Sequence, residues 1–321
     1  MTLAVFYKLL AIFLTVALGW AAGRMRWLGS GQDGSDPARV LGDAAFYIFV
    51  PALLFRTTVR LDFASMPWRT VAAFFVPVLA YLLAVYLWQR RRRADGPAAP
   101  AVRAITASFG NSVQLGIPMA AALFGERGLA IHIALVSLHA LVLLSVLTTL
   151  VELDLARAAG PRDLGATLRT TVRNTVIHPV VLPVLAGLAW NTTGLGLHPV
   201  VDETLAALGS AVVPLCLVLI GMTLAYYGLQ GRARGAAGLS LLKLVVLPAL
   251  VLATARWGFG LEGLPLQVVV LMAALPSGSN ALIFAQRYAT LQAEATAAIV
   301  FSTLGFVATA SLWLGVLAWL G

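Results

Sequence analysis

The sequence predicts an all-α membrane protein of ten transmembrane helices, arranged as a 5+5 inverted repeat in which two broken helices cross. Three observations carry that prediction: a composition too apolar for a water-soluble core, a series of apolar runs of membrane-spanning length, and matching motifs in the two halves. Hydrophobic residues make up 60% of the 321 and charged residues 11%, with a mean hydropathy of +0.91. A soluble domain of this length cannot bury so much apolar surface, so lipid must be its solvent. The net charge of +9 does not point to nucleic acid, because the arginines sit in short clusters between apolar runs, as at Arg90, Arg91, Arg92 and Arg93. That is the pattern of topology signals.

A helix rising about 1.5 Å per residue crosses a hydrocarbon core of roughly 30 Å in about 20 residues. Runs bounded by Arg, Gly, Pro and Asp place spans near Leu3 to Ala22, Val40 to Phe55, Pro67 to Trp88, Ala104 to Phe124 and Gly128 to Val151. Five more lie near Thr175 to Trp190, Val200 to Tyr227, Leu239 to Gly258, Pro265 to Ala285 and Ala293 to Trp319. The runs are long, continuous and rich in Leu and Ala, which favours helices over alternating barrel strands. The first run ends in small residues, as a secretory signal does. Its early side-chain cation, Lys8, already lies inside the run, so it reads as an uncleaved span. Cys216 is the single cysteine, inside an apolar run, and permits no intrachain disulfide.

Orientation follows from the arginines. Loops after spans 1, 3, 5, 7 and 9 hold 15 of them, including Arg24, Arg103, Arg157 and Arg234. The opposite side holds five: Arg56, Arg60, Arg69, Arg127 and Arg256. That asymmetry places the richer side in the cytoplasm of a cell-membrane protein and both termini on the non-cytoplasmic side. The three arginines around spans 2 and 3 fit this least well and are candidates for phosphate-headgroup contacts.

The polar connection 152–174 divides the chain into a first five-helix unit, 1–151, and a second, 175–321. Leu41-Gly42-Asp43 before Val50-Pro51-Ala52-Leu53-Leu54 is echoed by Leu208-Gly209-Ser210 before Val213-Pro214-Leu215-Cys216-Leu217. Ala17 to Trp20 is echoed by Ala186 to Trp190, and Val76-Pro77-Val78-Leu79 by Leu247-Pro248-Ala249-Leu250. Matches in the same order argue for duplication. An odd number of spans per copy inverts the second copy, as in many secondary transporters.

The fourth span contains Gly110-Asn111-Ser112-Val113-Gln114-Leu115-Gly116-Ile117-Pro118, and the ninth contains Leu275-Pro276-Ser277-Gly278-Ser279-Asn280. Proline, glycine and amides in mid-membrane leave backbone groups that lipid cannot satisfy. Each segment taken alone could be a proline kink eased by small residues. Their equal rank in the two halves favours a pair of crossing broken helices. A broken helix exposes the N–H groups and positive dipole end of its second half, which suits a carboxylate. Asn111, Gln114 and Asn280 would add amides, and Ser112, Ser277 and Ser279 hydroxyls. Pro51, Pro77, Pro183, Pro214 and Pro248 have little polar company and read as packing kinks.

Ionisable residues within spans are candidate functional groups. His139, deep in span 5, could exchange a proton with substrate, or rest neutral on a neighbouring helix. Asp43, Lys8 and Lys243 lie close enough to span ends to snorkel, and Asp43 is a second candidate for proton or substrate contact. Glu294 opens span 10, where a first-turn acid complements the helix dipole. No phosphate loop occurs. The glycines 228, 231, 235 and 238 lack the strand of a dinucleotide site, and His132 and His139 lack an acidic partner for zinc. No cofactor and no metal are therefore expected. A membrane enzyme for lipid-linked substrates is disfavoured because Asp33, Asp36, Asp154 and Asp163 are too scattered for a metal motif.

The run Gly110 to Pro118, the Leu208 to Ala225 span with Val213-Pro214 and Gly221-Met222, and Leu275 to Arg287 with Asn280 and Ala285-Gln286-Arg287 resemble the bacterial members of the auxin efflux carrier family. That family includes malate and malonate permeases and is related to the plant PIN-FORMED carriers. The resemblance implies a fold like that of the bile-acid sodium symporters, with a scaffold of spans 1, 2, 6 and 7 and a transport domain of spans 3 to 5 and 8 to 10. It implies breaks at Pro118 and Pro276, elevator-like alternating access and homodimerisation through the scaffold. Asn111, Pro118, Pro276 and Asn280 match the family's crossing motifs; Gln114, Ser277 and Ser279 are added from position alone. The chain lacks the long cytoplasmic loop of the large plant carriers and an acidic cluster at the crossing. The expected activity is secondary transport of a small organic anion such as a carboxylate, driven by membrane potential or protons. A sodium- or proton-coupled symporter or antiporter on the same fold is the alternative.

Overall fold

A computed structural model of the chain describes residues 3–29, 37–60, 66–92, 95–158, 173, 177, 179, 181–227 and 233–320, and among these all regular structure is helical. The helices are α1 (Leu3–Arg24), α2 (Pro37–Val59), α3 (Trp68–Arg92), α4 (Ala99–Ser108), α5 (Ile117–Ala158), α6 (Val181–Asn191), α7 (Pro199–Tyr227), α8 (Ala233–Gly258), α9 (Gly263–Ala274), α10 (Asn280–Arg287) and α11 (Gln292–Leu320). Among the described residues six of them, α2, α3, α5, α7, α8 and α11, qualify as long and apolar enough to cross a membrane. The side chain of Lys8, and all of His178, a histidine within the sixth predicted span and so a further ionisable candidate, lie outside the described residues. The connection 152–174 begins as helix, because α5 runs on to Ala158.

Local chemistry explains the irregular stretches. Proline has no N–H and clashes with the carbonyl four residues back, and a widened π-turn relieves both problems. Such turns at Ala45–Phe49, Ser112–Gly116 and Leu242–Val246 each end two residues before a proline, namely Pro51, Pro118 and Pro248. Pro77 and Pro214 instead lie within α-helix. Inside α5, Gly125 has φ 62 and ψ −164, a backbone conformation essentially reserved for glycine, so α5 is in effect two helices joined at a sharp kink.

The helices pack in two groups. α1 lies along α7, and α2 packs against α6 and α7. Small residues set the α1–α7 distance: a Cβ on Gly19 would fall 2.1 Å from the Val218 carbonyl oxygen, and one on Gly221 2.0 Å from that of Val16. Close backbone approach of this kind lets dispersion hold helices together where lipid supplies no hydrophobic drive. The second group contains α3, α4, α5, α8, α9, α10 and α11. Polar ties cross it at one end. Arg103 of α4 grips Glu294 of α11 with two bonds of 2.7 and 3.1 Å, and Asp154 of α5 takes Arg90 at 3.0 Å and the Tyr86 hydroxyl. Glu294 is 2% exposed, so it acts as a buried ion-pair partner rather than as a solvated dipole charge.

Candidate functional site

Two helices of the second group are interrupted at the same place. α4 ends at Ser108, and Phe109 continues as extended chain (φ −78, ψ 113). Asn111 (φ −75, ψ 63) then makes a tight turn closed by Ser112 N–H on the Gly110 carbonyl at 2.9 Å, after which helix resumes. α9 ends at Ala274, Leu275 is extended (φ −56, ψ 147), and α10 begins at Asn280. The two interruptions lie against each other and pair as a short antiparallel bridge between Gly110 and Ser277. Asn111 N–H donates to the Pro276 carbonyl and Gly278 N–H to the Phe109 carbonyl, each at 2.8 Å. The first interruption precedes Pro118 by two helical turns, contrary to the expected break at that proline. The π-turn just before Pro118 absorbs its missing N–H, so helix persists there, while the chain leaves helix at the Gly110-Asn111 step.

Unwinding strands carbonyls at the ends of the first half-helices, and buried carbonyls need donors. Pro276 has no N–H to offer Met272, and Ser277 N–H is diverted to the Ser302 hydroxyl at 3.0 Å. Ala273, which Ser277 would have served in a continuous helix, is bonded instead by the Lys243 ammonium at 2.6 Å. Ser277 Oγ likewise donates to the Thr106 carbonyl at 2.7 Å, at the end of α4. Lys243 is fully buried on α8. This corrects the snorkelling expectation: the lysine turns inward, where its N–H caps a carbonyl freed at the C-terminal end of α9.

The second half-helices begin on a cavity of ≈ 400 Å³, within the usual range for small-molecule sites. Asn111, Ser279 and Asn280 line it from the two breaks, half-buried, together with Ser112 and His139. Its opposite wall is built by α2 and α7, including Arg56, Thr57 and Ser210. The cavity therefore lies where the two helix groups meet. His139 is 2% exposed, packs tilted against the Phe109 ring with centres 4.4 Å apart and places Nδ1 3.4 Å from Ser112 Oγ. His132, two turns earlier on the same face of α5, donates from Nε2 to the Ser112 carbonyl at 2.8 Å, so both histidines brace the start of the second half-helix.

The other sequence candidates fall elsewhere. Ser277 is completely buried beneath the cavity and its hydroxyl is engaged by Thr106, which makes it a structural cap. Pro276 contributes its carbonyl to the bridge. Asp43 is half-buried on α2 and is not among the cavity-lining residues. The side chains of Gln114 and Pro118 lie outside the described residues.

Sequence reasoning missed Arg56, which it read as a topology or headgroup residue. Arg56 holds Asp202 of α7 through two bonds of 2.9 and 3.3 Å, and Arg60 pairs with the same carboxylate. Two guanidiniums sharing one carboxylate leave a surplus positive charge at the cavity wall. The available signal was Asp202 itself, an acid in the first turn of an apolar span. Arg69 donates to the carbonyls of Phe259 and Gly260.

Comparison with known proteins finds membrane transporters of similar sequence. The family model described as "Membrane transport protein" matches residues 4–314. An uncharacterized transporter of Methanothermobacter thermautotrophicus is 27% identical over 282 residues, 86% of each chain. The uncharacterized transporter YfdV of Escherichia coli K12 is 26% identical over 316 residues, 95% of each. A Rhizobium meliloti protein provisionally named a malonate transporter is 27% identical over 274 residues, 82% of each. A family model that matches nearly the whole chain, over a fold of apolar helices, places this chain in the membrane transport protein family, the auxin efflux carrier group, as a multi-pass transporter and not an enzyme.

Proposed function

We propose that the protein is a secondary transporter of small organic anions, with the carboxylate bound in the cavity beside the paired breaks. The single observation that carries this reading is the cavity's position: it touches both resumed half-helices at Asn111–Ser112 and Ser279–Asn280, and the positively charged Arg56 wall faces it. Two helix N-termini and a surplus guanidinium favour an anion, and the amides give its oxygens directed donors. The malonate name of one relative makes a short dicarboxylate the first substrate to try.

In this reading the chain has ten spans in two inverted halves, α4 with the first arm of α5 forming one crossing span and α9 with α10 the other. The group of α1, α2, α6 and α7 is the scaffold, the remaining helices slide against it as an elevator, and both termini lie outside the cytoplasm. The cavity between the groups supports this, because a site on that boundary can be offered to either side by rigid sliding. One charge crossing 100 mV supplies about 2.3 kcal/mol, enough to drive an anion outward without a coupling ion.

The test is malonate flux in proteoliposomes under imposed potentials, for wild type, Asn111→Ala and Asn280→Ala. Losing one hydrogen bond to a charged ligand costs about 1.5–3 kcal/mol, so each variant should weaken transport tenfold or more while staying folded. Saturable, potential-dependent flux that survives both substitutions would remove the site; flux indifferent to substrate and potential would remove the function.

A further inference from the structure

A second cavity, of ≈ 510 Å³, lies at the arginine-rich end of the molecule, between the C-terminus of α3 and the N-terminus of α8. Its floor is the ion-pair network in which Arg103 is held by Glu294 and Asp95. Arg92 and Arg234 stand at its rim, and neither pairs with a carboxylate among the described residues. Three guanidiniums therefore face two carboxylates, and the cavity is net positive. Arg92 stacks on the Trp88 ring with its guanidinium carbon 4.3 Å from the ring centre. A guanidinium held over an aromatic ring by cation–π attraction keeps N–H donors for a second partner, and its fork can grip phosphate bidentately.

The walls are of a different character. Leu241 is 61% exposed and Trp88 45% exposed, and both border the cavity. Gly238 leaves the face of α8 open there, since a Cβ on it would meet nothing within 4 Å, whereas a Cβ on Gly235 would lie 3.1 Å from the Glu294 carboxylate. A cationic rim continuous with an exposed apolar wall fits a ligand that carries a phosphate at one end and acyl chains at the other. We propose that this cavity binds the phosphate headgroup of an anionic membrane lipid, with Arg92 and Arg234 on the phosphate and the acyl chains along Leu241 and Trp88. The site is separate from the substrate cavity and does not rest on the transport reading.

The experiment uses the full-length protein reconstituted in phosphatidylcholine with increasing brominated phosphatidylglycerol, reading the fraction of tryptophan fluorescence quenched that Trp88→Phe removes. Each arginine at an anionic surface contributes roughly fivefold in affinity, so phosphatidylglycerol should be preferred over phosphatidylcholine by up to about 25-fold. Arg92→Gln with Arg234→Gln should bring the preference close to one. Gly238→Leu should lower it by filling the groove while both arginines remain, and melting temperatures in pure phosphatidylcholine check that all variants are folded. Equal quenching by the two brominated lipids, or a preference unchanged in the double variant, overturns the proposal. So does an effect reproduced by inorganic phosphate alone, which would assign the same chemistry to a soluble ligand.

Discussion

Gly110 and Gly278 look interchangeable in the sequence, each a glycine beside a polar residue in an interrupted span, yet the structure separates them sharply. Neither has a positive φ, so alanine suits the backbone at both positions. A Cβ on Gly278 would lie 2.9 Å from the Gly110 carbonyl oxygen and 3.0 Å from Phe109 Cδ1, whereas a Cβ on Gly110 would find its nearest neighbour at 3.5 Å. To restore contact at about 3.4 Å, Gly278→Ala must push the two breaks apart by about 0.5 Å. That stretches the bonds Gly278 N–H to Phe109 and Asn111 N–H to Pro276 from 2.8 Å to about 3.3 Å, past good geometry. At roughly 0.5–1.5 kcal/mol each, the crossing loses about 1–3 kcal/mol, which shifts the equilibrium between paired and separated breaks by roughly 5- to 150-fold. Gly110→Ala should be neutral or slightly stabilising, by up to about 1 kcal/mol, because alanine restricts the unfolded chain. Initial malonate flux in proteoliposomes, paired with melting temperature in detergent, reads both effects. Equal sensitivity at the two glycines, or wild-type flux in Gly278→Ala, would refute the view that the paired breaks must touch.

Three further outcomes follow from the same geometry. Lys243→Met keeps the side-chain length but leaves the Ala273 carbonyl without its donor, so melting temperature and flux should fall together, by the equivalent of about 1.5–3 kcal/mol; unchanged stability would show that the lysine is not a cap. Arg56→Gln removes the surplus cation from the cavity wall and should raise the KM for a dicarboxylate at least fivefold, with a smaller effect at high salt; a KM unmoved at low salt would take Arg56 out of the site. Gly221→Leu forces a side chain into the α7–α1 contact, where even a Cβ would lie 2.0 Å from the Val16 carbonyl, and should abolish the folded protein in detergent while Gly315→Leu, with open space around it, does not.

Much of this molecule was legible before any coordinates. The length and spacing of the apolar runs, the clustering of arginine and the equal rank of two proline- and glycine-bearing segments all act locally along the chain, so they can be read from it. They located both interrupted helices and put Asn111, Ser279, Asn280 and His139 forward as site residues, and all four line the same cavity. What local pattern could not decide was direction. Ser277 and Ser279 are two residues apart and chemically identical, but one hydroxyl turns down to the Thr106 carbonyl and the other borders the cavity. Arg56 looked like a topology signal because its partner, Asp202, is 146 residues away. Lys243 looked like a snorkelling end because the carbonyl it serves is freed by a break in a different helix. Sequence by itself determined that backbone would be exposed inside a membrane; only the tertiary structure decided which side chains satisfy it and which remain for a ligand, because unsatisfied buried groups recruit partners by proximity in space.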